Sequence, residues 1–103
     1  MPSVYYIFDN AKGTFVPVAA KRITIPGWEE YDFFIHYLMP PQSPGWSISE
    51  ATTGMAIGSL CRLRKEVITD ATARLERAGK AELNRLIEWA CSKHTSPWVR
   101  NKG

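Results

Sequence analysis

Residues 58–75, GSLCRLRKEVITDATARL, contain the point at which the sequence changes from a strand pattern to a helix pattern. Upstream of them, short runs rich in aromatic and β-branched residues alternate with turn residues, which is typical of strands. From Val67 onward the apolar residues follow a helical spacing, at Val67, Ile68, Ala71, Leu75 and Ala78. The stretch therefore predicts strands first and helices last, which is the order of an α+β fold.

A second helix is predicted directly after the first. Gly79 is well placed to end the first helix, because glycine readily adopts the backbone conformation that closes a helix C-terminus. A new apolar stripe follows, formed by Leu83, Leu86, Ile87 and Ala90 and extended by His94. Pro97 ends this pattern, so we predict one domain over residues 1–95 and a flexible basic tail over 96–103.

The first sixty residues predict an antiparallel sheet of about five strands. The extended segments are 4–8, 14–19, 22–25, 31–38, 46–51 and 55–58. Pro17 has no N–H to donate, so its strand is expected at a sheet edge. Segment 31–38 carries apolar side chains on both faces, which favours a central strand, while a helix over 28–38 stays open as an alternative. The two C-terminal helices are expected to pack on one face of this sheet.

The composition is that of an ordinary globular protein. Of 103 residues, 45% are hydrophobic and 12% aromatic, which is enough to build a core without metals or disulfides. No run of 18 apolar residues is present, so no membrane span is expected. The N-terminus shows no basic leader, so Cys61 and Cys91 are expected to be free thiols in the cytoplasm.

Positive charge is concentrated in the C-terminal part of the chain. Residues 1–60 hold three Lys and Arg against five Asp and Glu, whereas residues 61–103 hold ten against five. An anionic partner is therefore expected to approach the C-terminal part first. If that partner is a nucleic acid, the residues expected to contact phosphates are Arg62, Arg64, Lys65, Arg85 and Lys93.

Gly58 and Ser59 precede the basic residues at the start of the first helix, an arrangement that some phosphate sites share. The glycine spacing of a Walker-type loop is absent, and no N-cap residue stands before Arg64. The pattern favours a plain junction between a hairpin and a helix with a basic rim.

The same stretch, 58–75, is similar to the second half of double-stranded RNA-binding domains. The similarity covers about twenty residues, and the N-terminal helix of that family is not evident in this chain. It implies phosphate contacts by the basic residues at the helix start, which are Arg62, Arg64 and Lys65.

Two surfaces are candidates for binding another protein. Trp89 lies off the apolar stripe between Arg85 and Lys93, and Trp98 follows near the C-terminus. Such aromatic and basic interleaving is typical of a stacking platform for single-stranded nucleic acid or of a protein interface anchor. Packing of Trp89 against a neighbouring strand or under Arg85 is the favoured alternative. Two helices cover one face of a sheet, so the other face is expected to expose part of the set Phe34, His36 and Leu38 to a partner or to a homodimer contact. The equal alternative is that long side chains and the 39–45 loop cover this face.

No catalytic, cofactor or metal site is predicted. Asp32 and His36 stand about 13 Å apart on a strand, too far for a hydrogen bond. Cys91 and His94 supply half of a zinc site, and Cys61 with His36 lack the spacing of a second half. The sequence therefore favours a small non-enzymatic binding module. It would act as a regulator, adaptor or inhibitor through protein contacts, with a phage or mobile element as a candidate source. A nucleic-acid binder is the alternative.

Overall fold

The computed structural model describes residues 3–38 and 44–101, and it confirms the α+β order. Four strands precede the helices: β1 (Ser3–Asp9), β2 (Thr14–Ile23), β3 (Phe33–Leu38) and β4 (Gly45–Glu50). The helices are α1 (Arg64–Ala78), α2 (Lys80–Lys93) and the short α3 (Pro97–Asn101). The strands pair in the order β1-β2-β3-β4, and every pairing is antiparallel. The segment predicted as a central strand is therefore β3, with a neighbour on each side.

Strand β2 takes part in two different pairings along its length. Residues 14–20 pair with β1, and residues 21–23 pair with β3. The two segments predicted as separate strands, 14–19 and 22–25, thus form one strand that ends at Ile23. Pro17 pairs with Tyr6 of β1 and has no strand on its other side among the described residues. The expected edge position of Pro17 is met locally, although β2 itself is an inner strand.

This double pairing places β1 and the first part of β2 over β3 and β4. We call residues 3–20 the hairpin layer, and residues 21–23 with β3 and β4 the main sheet. The ring of Tyr5 in the hairpin layer stacks on Phe34 of the main sheet, with ring centroids 4.6 Å apart. Because β2 separates β1 from β3 in the sheet order, this contact requires the hairpin layer to fold over the main sheet. The chain is therefore arranged in three layers: hairpin, main sheet and helices.

The face of the main sheet expected to be open is therefore covered. Phe34 is 0% exposed and His36 is 4% exposed. Their expected exposure is wrong, because the hairpin layer and Trp98 of α3 pack over this face. A homodimer through an open sheet face loses its basis for the same reason.

The opposite face of the main sheet carries the larger core. Successive strand residues point to opposite faces, so Phe33 and Ile35 turn towards the helices. They form one buried cluster with residues of the main sheet, the 25–28 turn, α1 and α2, namely Ile25, Trp28, Phe33, Ile35, Ile48, Val67, Ala71, Leu75 and Leu83. Gly79, at φ +83°, ends α1 by donating its N–H to Leu75 O at 2.8 Å, as the sequence predicts.

The predicted strand 55–58 is replaced by an irregular partner of β4. The Glu50 N–H donates to Met55 O, the Ile57 N–H donates to Ile48 O, and Trp46 and Cys61 exchange both of their backbone hydrogen bonds. A continuous ladder is interrupted at Gly58, whose φ of +87° is not an extended conformation. This accounts for four strands where about five were expected.

Within the predicted loose tail, residues 97–101 form the short helix α3. The Ser96 Oγ accepts the N–H of Trp98, and Pro97 occupies the first helical position, where its missing N–H carries no penalty. Trp98 then stacks on Tyr5 at 5.8 Å between ring centroids. Residues 102–103 lie outside the described part of the chain.

Candidate functional site

A buried carboxylate organises the turn that follows β4. Residues of this turn line two candidate sites, a groove beside α2 and a cavity beside β3. Glu50 is 2% exposed, and its oxygens accept the N–H and the hydroxyl of both Thr52 and Thr53 at 2.7–3.0 Å. The turn leads to Gly54, whose carbonyl accepts the N–H of Phe8 at 3.2 Å. This bond ties the hairpin layer to the end of β4.

An apolar groove lies between this turn, β1 and the last turn of α2. We call it the Trp89 groove, and its volume is about 380 Å³. Its lining residues are Phe8, Asn10, Thr53, Met55, Trp89, Ala90, Lys93 and His94. The ring of His94 stacks on Phe8 at 5.2 Å and closes the groove on that side.

Trp89 is a large exposed aromatic group of this groove. Its side chain is 55% exposed, so packing within the chain, favoured from sequence, does not occur to the extent expected. The expected cation–π partner is also different. The Arg85 guanidinium pairs with both oxygens of Glu82, whereas the Lys93 ammonium lies 4.5 Å from the Trp89 ring centroid. One face of the indole is thereby held in place, and much of the ring remains accessible.

A second cavity lies between the hairpin layer and the main sheet. We call it the His36 cavity, and its volume is about 440 Å³. The residues that line it are Ile7, Phe8, Asn10, His36, Leu38, Ser47, Ser49, Gly54, Met55 and Ala56. His36 and Ser47 are direct cross-strand partners in β3 and β4, so their side chains share the face that points into this cavity.

The buried imidazole of His36 lacks a hydrogen bond of the kind that buried polar groups normally make. Its Nδ1 atom is buried and has no hydrogen-bond partner among the described residues. Native proteins pair almost every buried polar atom, and an unpaired one costs about 1–3 kcal/mol. Burial also lowers the pKa of His36 below its ordinary value of 6.5, because the charged form is poorly solvated there. The ring is therefore neutral at physiological pH.

We expect His36→Leu to change how stability depends on pH. Below about pH 6.5 the unfolded chain binds a proton at His36 that the folded chain resists, so the wild type loses stability as the pH falls. The variant lacks this loss, and at pH 7.5 it should be about 1 kcal/mol more stable because the unpaired nitrogen is gone. Urea unfolding of both proteins at pH 7.5 and 5.5 measures this. A difference in unfolding free energy that does not grow as the pH falls would contradict the expectation.

The basic residues named from the sequence do not form one patch. Arg62, Arg64 and Lys65 are exposed beside Cys61, which pairs with Trp46 at the start of β4. Lys93 lies beyond the other end of β4, because Cys91 Sγ contacts Thr52 O there. The length of β4, about 13 Å, lies between these two groups of basic residues. Arg85 forms an ion pair with Glu82.

The junction at Gly58 is filled by the chain's own acid. The Ser59 N–H donates to Asp70 Oδ2 at 2.8 Å, and Arg74 donates to the Ser59 hydroxyl at 2.7 Å. The Ser59 N–H, together with the Arg74 ion pair, holds the pKa of the Asp70 carboxyl below its usual value. At the helix start, the Leu63 N–H donates to Glu66. Because carboxylates occupy these amides, the junction offers no phosphate cradle.

No metal-binding cluster is formed by the His, Cys, Asp and Glu residues within 3–38 and 44–101. The half-sites named from sequence are apart, since Cys61 and Cys91 lie near opposite ends of β4. His36 and Ser47 are neighbours, but no hydrogen bond joins them and no carboxylate lines their cavity in the described part of the chain. Asp32 forms an ion pair with Arg22 at 2.9 Å.

Sequence reasoning missed Phe8, Met55 and Glu50. Phe8 and Met55 line both the groove and the cavity, and Glu50 holds the turn between them. The only sequence signal was the motif Glu50-Ala-Thr-Thr-Gly54, in which an acid precedes two hydroxyl residues and a glycine.

Comparison of the chain with protein-family models, curated proteins and solved structures finds no match. Among the described residues, every helix is too short or too polar to cross a bilayer.

Proposed function

We propose that the protein is a small non-enzymatic binding module that holds an acidic, aromatic-bearing segment of another protein in the Trp89 groove. The observation that carries the proposal is the 55% exposed indole of Trp89, held under the Lys93 ammonium at the mouth of an apolar groove of about 380 Å³. Tryptophan anchors in such settings account for much of the binding energy of protein interfaces.

The charge of the groove favours an acidic partner. Lys93 is the only permanently charged residue among its described lining residues, and no Asp or Glu lines it. A carboxylate close to Lys93 would gain a charge-assisted contact, whereas a basic segment would meet repulsion.

The apolar character of the groove favours a protein segment over a nucleic acid. Phe8, Met55 and Ala90 contribute hydrophobic surface, which suits an aliphatic or aromatic side chain. A nucleic-acid contact needs a continuous track of basic groups. The exposed basic residues at the start of α1 and at the end of α2 are separated by β4, which does not provide such a track.

We expect an unbiased library of about twelve-residue peptides, panned on this protein, to yield sequences that pair an aromatic residue with Asp or Glu. Trp89→Ala should weaken a selected peptide at least about tenfold, and Lys93→Gln should weaken it less and mainly at low salt. Fluorescence anisotropy with the labelled peptide measures both changes. Leu63→Ala is the matched control, since Leu63 is 56% exposed but lies away from the groove, and it should leave affinity unchanged.

Two outcomes would contradict the proposal. One is a selected peptide that binds Trp89→Ala as tightly as the wild type. The other is tight binding of labelled single-stranded DNA or duplex RNA that weakens steeply between about 50 and 200 mM salt. If that binding is lost on charge reversal of Arg62, Arg64 and Lys65 but survives Trp89→Ala, the nucleic-acid alternative replaces the protein partner.

A further inference from the structure

We propose that the His36 cavity is a separate binding site for a small, uncharged organic molecule that carries an apolar ring and one hydrogen-bonding group. This site does not depend on the function proposed for the Trp89 groove. It lies between the hairpin layer and the main sheet, whereas the groove lies beside the last turn of α2.

The unpaired nitrogen of His36 is the observation that points to a ligand. The side chain is 96% buried, lines the cavity, and has no partner for Nδ1 among the described residues. Buried polar groups that lack a protein partner are typical of sites where a bound molecule completes the hydrogen bond. Because Nδ1 itself is buried, the imidazole would turn to bring it to the cavity, where a ligand hydroxyl or amide would satisfy the ring.

The remaining lining residues indicate the class of molecule. The apolar surface comes from residues of β1, β3 and the 54–56 turn, namely Ile7, Phe8, Leu38, Met55 and Ala56. The polar groups are confined to His36, Ser47, Ser49 and Asn10, and no charged residue is present among the described lining residues. An ionised ligand would therefore lose its hydration without gaining a counter-charge, so it is disfavoured.

The cavity is large enough for such a molecule. Its volume of about 440 Å³ falls within the range of small-molecule pockets. The neutral imidazole can donate from one nitrogen and accept at the other, and Ser47 beside it can do both. A ring that bears a single hydroxyl can thus bond to His36 while its apolar part lies against Ile7 and Met55.

The test uses three probes of nearly equal size: toluene, phenol and benzoate. Each is titrated into the ¹⁵N-labelled full chain at pH 7.5 and followed by the amide signals of Ser47 and Ala56. The ¹⁵N shifts of the His36 ring are recorded in the same samples. We expect phenol to bind about fivefold to tenfold more tightly than toluene, because only phenol forms the hydrogen bond. Benzoate should bind at least about tenfold more weakly than phenol.

Two variants locate the effect. In His36→Leu the preference for phenol over toluene should disappear, and this variant is expected to fold because it removes an unpaired polar atom. Trp89→Ala, which lies outside the cavity lining, should retain the full preference. The Trp89 indole signal reports on the groove alone. A negative result for the cavity proposal can therefore be distinguished from a negative result for the groove proposal.

The proposal is overturned by any of three results. These are the absence of probe binding at millimolar concentrations, equal affinities for phenol and toluene, and a phenol preference that survives His36→Leu. It is also overturned if phenol shifts the Trp89 indole signal but leaves Ala56 and the His36 ring unchanged, because the probe would then occupy the groove.

Discussion

Gly54→Ala should destabilise the protein by about 3 kcal/mol or more, one of the largest effects of a single added methyl group in this chain. A Cβ at this position would lie 2.9 Å from Phe8 N and 2.9 Å from Tyr6 O, which are both backbone atoms of β1. To make room, β1 must move away from the turn, and the hydrogen bond from the Phe8 N–H to the Gly54 carbonyl is lost. Urea unfolding followed by far-UV circular dichroism measures the change.

Gly13→Ala separates the steric effect from the backbone effect. Gly13 has φ +66° and Gly54 has φ +71°, but a Cβ at Gly13 meets no heavy atom within 4 Å. The control therefore carries only the strain of a left-handed alanine, about 1–2 kcal/mol. Equal losses at the two positions would show that β1 does not approach the turn closely, and the three-layer arrangement would need revision.

Glu50→Ala should cost about 3 kcal/mol as well. The substitution leaves the N–H groups of Thr52 and Thr53 without the carboxylate that accepts them, inside a part of the fold where water does not replace it. Bonds to a charged acceptor are stronger than neutral ones, so Glu50→Gln should recover only part of the loss. Unfolding in urea measures both variants against the wild type.

Glu29→Ala serves as the comparison, because Glu29 also accepts a backbone N–H, from Gly27, but does so at an exposed turn. Water can replace that carboxylate, so the loss of stability should be much smaller. A loss at Glu29 as large as that at Glu50 would mean that burial does not govern the effect. The Glu50 variant should also weaken peptide binding, since the turn it holds supplies Thr53 and Met55 to the Trp89 groove.

The two long helices and strand β3 follow from local patterns, in which the residues that carry the signal lie close together in the sequence. The helical stripe from Val67 and the break at Gly79 predict α1 and α2 closely, because an amphipathic face and a glycine stop are local signals. The strand character of 33–38 follows from its aromatic residues. The double pairing of β2 has no such signal, since residues 19–21, Ala-Ala-Lys, contain neither glycine nor proline to mark a change of direction.

The candidate sites show the same limit. Strand periodicity correctly places Phe34 and His36 on one face, but it does not say what covers that face. Their burial depends on Tyr5, which lies far away in sequence and reaches them only because the hairpin layer folds over. Helical spacing places Trp89 outside the apolar stripe, but it does not show the groove beside Trp89, which requires the approach of Phe8 and Met55.

The order of the strands in space matches their order along the chain, and this has a consequence for the folding pathway. Each strand pairs with its sequence neighbour, so every pairing closes a short loop at small entropic expense. The contacts from β1 to Gly54 and to Trp98 instead join distant parts of the chain. Contacts of high sequence separation are reached last. The four strands are thus expected to pair first. The two candidate sites require β1 to contact Gly54 and Trp98, so they are expected to form last.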